Sequence, residues 1–319
     1  LLEASPSEQR DAALPFPGRW ASEPFSPNPR PILARFVKAG QTKEAQAYCR
    51  RFLDECAADP EGLVGDKGHA SELQGDVYRM LGALLLDKGE HDAAVEALGQ
   101  LRRLAPKSTT IHIEISRRLA QRRLYDAAAS HLETVLESRP DDLEAHYNLA
   151  LVDLNRRRFS DAAKRLRRVL KEQPQNDEVR YHLAGALLQN GDARSALEEY
   201  RAVADRHPDS PAANNLAWIL ATYPDDSIRD GTEAVRISER VCELSSHRDI
   251  SALDTLAASY AEAGRFADAL RTVKQAIALS EKVDDNQRTE RLRRRLRRYE
   301  SREPLRDEPS GNAAMADKQ

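Results

Sequence analysis

Apolar residues along the middle of the chain recur three and four positions apart, the spacing of amphipathic helices that bury one stripe. The stripes come in pairs joined by short polar turns, and the paired pattern recurs with a constant 34-residue period. Proline cannot continue a helix, because it lacks an N–H and its ring clashes with the preceding turn. Four prolines follow the second stripe of successive pairs, each one period after the last: Pro106, Pro140, Pro174 and Pro208. The pattern predicts helix–turn–helix units that each end at a proline.

Small residues ahead of each proline predict how the two helices of a unit pack. Each first helix carries an aliphatic residue followed by a small one: Leu81-Gly82, Ile115-Ser116, Leu149-Ala150 and Leu183-Ala184. Each second helix carries an alanine: Ala94, Ala128, Ala162 and Ala196. Larger side chains are expected between the two helices: Leu98, Leu132, Leu166 and Tyr200. Capping residues then follow the prolines: Ser108, Asp141-Asp142, Asp177 and Ser210.

Composition supports an all-helical chain. Strand-like alternation of branched residues is absent, and no apolar run approaches the roughly 18 residues that span a bilayer. The net charge of −3 predicts no general attraction to nucleic acid or to anionic membranes. Cys49 and Cys56 share a helix face about 10 Å apart, too far for a disulfide, and with Cys242 they form no metal-binding or redox motif.

The pattern divides the chain into segments of different regularity. Residues 1–25 are predicted to be a disordered lead-in, and residues 26–282 an array of repeats. Within the array, we expect a degenerate first unit (26–60), a loop (61–70), a regular section (75–208), a unit of altered spacing (210–246) and a last regular unit (250–281). A basic helix (285–300) then caps the array, and residues 301–319 form a disordered tail.

The 34-residue spacing and the residue types at the marked positions resemble the tetratricopeptide repeat, over about residues 27–281. The resemblance implies a right-handed α-solenoid of about seven helix–turn–helix repeats with a C-terminal capping helix. The stretch that runs from Asn215-Leu-Ala-Trp218 to Arg229-Asp-Gly231 is similar to the closing repeats of large bacterial multidomain proteins. That similarity assigns no single activity.

The resemblance also implies where a ligand would bind. First helices of such arrays line a concave groove, so their exposed positions beside the packed pair are candidate contacts to a peptide or partner segment. These candidates are Arg117, Tyr147, Asn148, Tyr181, His182, Asn214, Asn215 and Trp218. Aromatic faces with amide neighbours suit an extended peptide. The asparagine ladder of transferase-linked relatives is incomplete, and the lysines of the carboxylate clamp are missing.

Motifs of catalysis and metal binding were not found. His112 and His146 occupy equivalent places in neighbouring repeats, which stack roughly 10 Å apart, too far to share a metal ion. We expect both to fill helix-pair interfaces. The arginines between Arg291 and Arg298 could bind phosphate, but their leucine spacing favours a solvated capping helix. We therefore expect no catalytic residues, no cofactor and no metal.

The sequence thus favours a non-catalytic scaffold or adaptor that binds a protein or peptide in its groove. The alternative is a regulatory or substrate-recruiting arm of a larger enzyme, such as a transferase, whose catalytic part lies outside this chain. Nucleic acid is not favoured as a partner, and association through the ends of the array is left open. The compartment is also open: cytoplasmic, or periplasmic if a signal peptide was removed.

Overall fold

The computed structural model describes residues 28–58 and 67–306, with side chains from Ala70 onward in the second range. The predicted lead-in (1–25) and residues 307–319 of the predicted tail lie outside the described residues. All regular secondary structure in the described part is helical, which confirms the predicted all-α repeat fold. The described residues form two compact units, which divide between Asn148 and Leu149, inside one helix.

The first unit consists of consecutive helices joined by short turns. In chain order they are α1 (Arg30–Lys38), α2 (Thr42–Ala58), α3 (Lys67–Lys88), α4 (His91–Gly99), α5 (Leu101–Leu104), α6 (Thr109–Gln121), α7 (Tyr125–Ser138) and the first part of α8 (Leu143–Asn155). Helix α3 begins at Lys67, inside the segment 61–70 predicted as a loop, so that prediction was wrong for residues 67–70. Residues 61–66 of that loop are not described.

Close packing of α3 on α4 explains the glycine of the first regular unit. A Cβ atom at Gly82 would lie 2.4 Å from Leu98 Cγ, far inside van der Waals contact. Leu98 is buried between the helices, and so are the equivalent Leu132 and Leu166. The predicted close approach at the small residue, with a large side chain filling the space beside it, is confirmed for this pair.

The second unit continues the same arrangement. It contains the rest of α8, then α9 (Phe159–Glu172), α10 (Asp177–Gln189), α11 (Ala193–Ala204), α12 (Pro211–Thr222), α13 (Gly231–Leu244), α14 (Ile250–Glu262), α15 (Phe266–Lys282) and α16 (Asn286–Glu300). Helices α12 and α14 pack on each other, as neighbouring first helices of a repeat array do.

A long turn separates α12 from α13 at the predicted change of spacing. Its Arg229 side chain is 8% exposed and donates to the carbonyls of Tyr223 and Pro224, both at 2.7 Å. Arg229 Nε also donates to Glu262 Oε1 at 2.8 Å, at the end of α14. A Cβ at Gly231 would lie 2.8 Å from the backbone nitrogen of Ala263. The turn therefore fixes the start of α13 against the end of α14.

Helix α16 covers the end of the second unit. Leu292 and Tyr299 are fully buried, and Thr289 Oγ1 donates to Ser280 Oγ of α15 at 2.8 Å. Residues 301–306 follow without helix, and Arg306 Nη1 donates to Glu262 Oε2 at 2.6 Å. The predicted disordered tail is therefore wrong for residues 301–306, because an ion pair places them against α14.

One position of the first helix makes the same contact in three successive repeats. His112 Nε2 donates to the carbonyl of Ala105 at 3.0 Å, and His146 Nε2 donates to that of Pro140 at 2.9 Å. At the equivalent position of the next repeat, Arg180 Nη2 donates to the carbonyl of Pro174 at 2.9 Å. These carbonyls lie just past the preceding second helix, where backbone acceptors lack helical partners. Each contact therefore holds the turn between two repeats.

Candidate binding surface

The candidate residues of the first unit lie around Glu144. Arg117 is exposed, and its Nη2 lies 3.5 Å from Glu144 Oε1. Asn148 Nδ2 donates to the Glu144 carbonyl at 2.8 Å, within its own helix. Tyr147 is half-buried beside Asn148. The structure thus brings Arg117 to the start of α8, one turn before the tyrosine and the amide.

Two candidates of the second unit belong to a cluster of aromatic and amide groups. Asn215 Nδ2 on α12 lies 3.3 Å from the Tyr181 hydroxyl on α10, and 3.5 Å from that of Tyr200 on α11. The rings of Tyr181 and Tyr200 meet edge to face, with centroids 5.7 Å apart. Burial raises the pKa of the Tyr200 phenol, which therefore stays neutral. Because the three groups already contact one another, they also join two repeats.

His182 extends this cluster along α10. Its ring meets Tyr181 edge-on, with centroids 5.5 Å apart, and the residue is half-buried. Burial lowers the pKa of the His182 imidazole, which is therefore neutral at pH 7. A neutral imidazole beside a tyrosine offers a flat face and one hydrogen-bond donor, without a charge.

Trp218 is covered by the capping helix. The guanidinium carbon of Arg295 lies 4.6 Å from the centre of the Trp218 ring, a cation–π contact. Arg295 Nη1 also donates to Asp254 Oδ2 on α14, in an ion pair whose side chains are 16% and 11% exposed. Trp218 and Asp254 come from adjacent first helices, so Arg295 bridges both of them.

Two acceptor atoms on these first helices are buried without a hydrogen-bond partner. They are Asp254 Oδ1 and Asn214 Oδ1. Asn214 lies one helical turn before Trp218, on the same face of α12. Such acceptors are costly to bury alone, by roughly 1–3 kcal/mol each. This part of the surface can therefore accept hydrogen bonds from a donor-rich group.

Asp254, Arg295 and Tyr200 were not among the residues predicted for the surface. Asp254 precedes the Leu256-Ala257 pair as Tyr181 precedes Leu183-Ala184, so the repeat register placed it on the same face. No comparable signal existed for Arg295, because α16 departs from the repeat. Tyr200 was predicted only as a filler between helices.

The predicted histidine packing holds in the first unit. His112 and His146 are buried, and His112 Nδ1 lies 2.9 Å from Nδ1 of buried His131 on α7. Since His112 carries its proton on Nε2 for the Ala105 carbonyl, its Nδ1 accepts from His131. Three or more His, Cys, Asp or Glu side chains in metal-binding arrangement do not occur among residues 28–58 and 67–306.

Within the described ranges, no helix combines the length and apolar character needed to cross a membrane. The three cysteines are free and buried. A depression of about 460 Å³ lies between α11 and α13. It is lined by three arginines and four acidic residues: Arg201, Arg236, Arg240, Asp205, Glu233, Glu239 and Glu243.

A family model described as "Tetratricopeptide repeat" matches residues 119–169 and 153–219. The matches run from the end of α6 to α12. The matched part of the chain, residues 119–219, consists of tetratricopeptide repeats. No curated protein matches the sequence. The Tyr181, His182 and Asn214–Trp218 positions fall within the matched tetratricopeptide repeats, whereas Asp254 and Arg295 lie beyond them.

Solved structures that resemble this chain share little sequence with it. The MamA protein is 19% identical with a TM-score of 0.49, over 56% of this chain and 96% of MamA. YrrB, titled "a TPR protein with an unusual peptide-binding site", is 17% identical with a TM-score of 0.48, over 59% and 94%. A tetratricopeptide repeat protein from Parabacteroides merdae is 13% identical with a TM-score of 0.47, over 84% and 96%.

Proposed function

We propose that this chain is a non-catalytic scaffold that binds an extended segment of a partner protein along its first helices. The observation that carries the proposal is the composition of the first-helix face in the second unit. Half-buried aromatic and amide side chains from α10 and α12, among them Tyr181, Asn215 and Trp218, lie on one face. Repeat arrays bind partners along such extended faces.

The chemistry of these side chains suits a peptide backbone. Tyrosine and tryptophan bury large areas at a small entropic cost, and their polar ends still form hydrogen bonds. Asparagine supplies both a donor and an acceptor to a passing peptide group. In the first unit, Tyr147, Asn148 and Arg117 offer the same combination with an added positive charge.

Recovery of partners from a cell lysate tests this proposal. The full chain is compared with the triple variant Tyr147→Ala/Tyr181→Ala/Trp218→Ala, and we expect the variant to lose specific partners. The matched control is Leu244→Ala/Val283→Ala, which removes exposed apolar side chains (44% and 65% exposed) elsewhere on the surface. Circular dichroism establishes that each variant is folded. Equal recovery of every partner by the triple variant would contradict the proposal.

A further inference from the structure

We propose that Trp218, Asp254 and Asn214 form a pocket for an arginine or lysine side chain of the partner, and that Arg295 of α16 occupies this pocket in its absence. We call these three residues the cation pocket. The inference rests on the proposed function and names the chemistry of the segment that is bound. Arg295 is then an internal substitute for a side chain of the partner.

The contacts of Arg295 are those by which proteins recognise a guanidinium. An aromatic face attracts a cation, and the guanidinium carbon lies 4.6 Å from the centre of the Trp218 ring. A carboxylate accepts charge-assisted hydrogen bonds, and Asp254 Oδ2 accepts one from Arg295 Nη1. Both groups come from first helices, whose face the proposed function assigns to the partner.

Arg295 leaves part of the pocket unsatisfied. Asp254 Oδ1 and Asn214 Oδ1 are both buried acceptors with no hydrogen bond. Arginine commonly binds a carboxylate through two parallel hydrogen bonds, one to each oxygen. A partner arginine that reached both oxygens of Asp254 would therefore fit the pocket better than Arg295 does. Acidic side chains, which bring no donors, would not.

Helix α16 is also attached by contacts other than this ion pair. Leu292 and Tyr299 are fully buried, and Thr289 forms a hydrogen bond to Ser280 of α15. Buried ion pairs are also weak evidence for stabilisation, because desolvation offsets much of their attraction. Two neighbouring arginines of α16 behave differently: Arg293 pairs with Glu281 and Glu290, and Arg294 is exposed. Arg295 alone among these three is placed between first helices.

The test uses three fluorescently labelled hexapeptide mixtures with arginine, glutamine or glutamate fixed at the third position and the other positions random. Each is titrated into the full chain and followed by fluorescence anisotropy. Arg295→Met keeps an unbranched apolar side chain against Trp218 and removes the charge. Its matched control is Arg294→Met, one residue away and exposed. Arg295→Met/Asp254→Asn removes the carboxylate as well.

We expect Arg295→Met to bind the arginine mixture at least tenfold more tightly than wild type does. We also expect it to bind the arginine mixture at least tenfold more tightly than the glutamine mixture. Arg294→Met should resemble wild type, and the double variant should lose the preference. Circular dichroism and thermal unfolding check folding; if Arg295→Met does not fold, Arg295→Lys, which retains the charge on a weaker ligand of the carboxylate, should show a smaller gain of the same sign.

The cation pocket would be overturned if Arg295→Met and Arg294→Met discriminated equally between the arginine and glutamine mixtures. It would also be overturned if Arg295→Met preferred the glutamate mixture. Absence of binding by every variant would overturn it too, while leaving the scaffold proposal to the partner recovery experiment. If the triple variant Tyr147→Ala/Tyr181→Ala/Trp218→Ala recovers the same partners as wild type, the scaffold proposal is contradicted, whatever the peptide mixtures show.

Discussion

Arg229 and Glu262 join the inserted turn of one repeat to the end of the next first helix, with 2.8 Å between Nε and Oε1. Both side chains are mostly buried, at 8% and 13% exposed, and Gly231 lies against the backbone of Ala263 beside them. The turn that departs from the 34-residue spacing therefore contributes an anchor between repeats.

Replacing Arg229 by alanine should lower the free energy of unfolding by about 3 kcal/mol, because it leaves the buried Glu262 carboxylate with less compensation. The variant also removes the hydrogen bonds to two turn carbonyls. Urea unfolding followed by circular dichroism measures the change. Arg236→Ala is the control, since its side chain is 73% exposed and 3.8 Å from Glu233; it should cost under about 0.5 kcal/mol. If Arg229→Ala and Arg236→Ala lowered the free energy of unfolding equally, Arg229 would not be an anchor between repeats.

Replacing Gly82 by alanine should destabilise the first unit by about 2 kcal/mol, since overpacking a filled helix interface costs roughly 1–3 kcal/mol. The added Cβ would lie 2.4 Å from Leu98 Cγ. Gly99→Ala is a matched control, because nothing lies within 4 Å of a Cβ at that position. Chemical unfolding measures the free energy of unfolding of both variants. A Gly82→Ala protein as stable as wild type would show that α3 and α4 can move apart without cost.

The buried histidine pair of the first unit should make that unit sensitive to mild acid. Burial lowers the pKa of His131 to about 3, with further lowering from the charges of His112 and Arg102. Burial likewise lowers the pKa of His112. Because both folded pKa values lie below the unfolded value of about 6.5, the unfolded chain binds more protons as the pH falls below 6.5. Stability is complete above that pH and declines below it, by up to about 1.4 kcal/mol per pH unit for each histidine.

Urea unfolding between pH 7 and pH 5 measures this decline. His131→Leu should make the decline shallower, because one of the two groups that exclude a proton is gone while His112 remains. An equally steep decline in His131→Leu would mean that the acid sensitivity arises elsewhere.

The three cysteines should report unfolding. Burial raises the pKa of the Cys49 thiol to about 12 and that of Cys242 to about 12, and it also raises that of Cys56. Since the thiolate is the reactive form, we expect almost no reaction with a disulfide reagent at pH 8 in the folded protein. In concentrated guanidinium chloride all three should react rapidly. A thiol that reacts at the unfolded rate without denaturant would contradict the buried position described for it.

The repeat register predicted the helices well because the responsible interactions are local. Helix α7 ends at Ser138 and α9 at Glu172, each just before a proline, and Gly82 packs on Leu98 as its size required. The cap of α10 was mispredicted. Asn176 accepts from the Val179 N–H, whereas Asp177 pairs with Arg206 and His207. These partners lie beyond the end of α11, and no local rule reveals a partner so far along the chain.

The binding surface was only partly predictable for the same reason. The register placed Tyr181, Asn214 and Trp218 on first helices, but it could not show that Trp218 lies beneath Arg295 of the capping helix. Nor did it show that Asn215 contacts two tyrosines. Whether these eight candidates contact a partner stays a prediction.

Side chains of different charge make the recurring contact to the carbonyl past each second helix. Histidine makes this contact at positions 112 and 146, and arginine makes it at position 180. Burial lowers the pKa of the His112 imidazole, which makes this contact without a charge, whereas arginine carries a charge throughout. A single interchange at this position would thus add a positive charge to the boundary between two repeats while the backbone stayed the same.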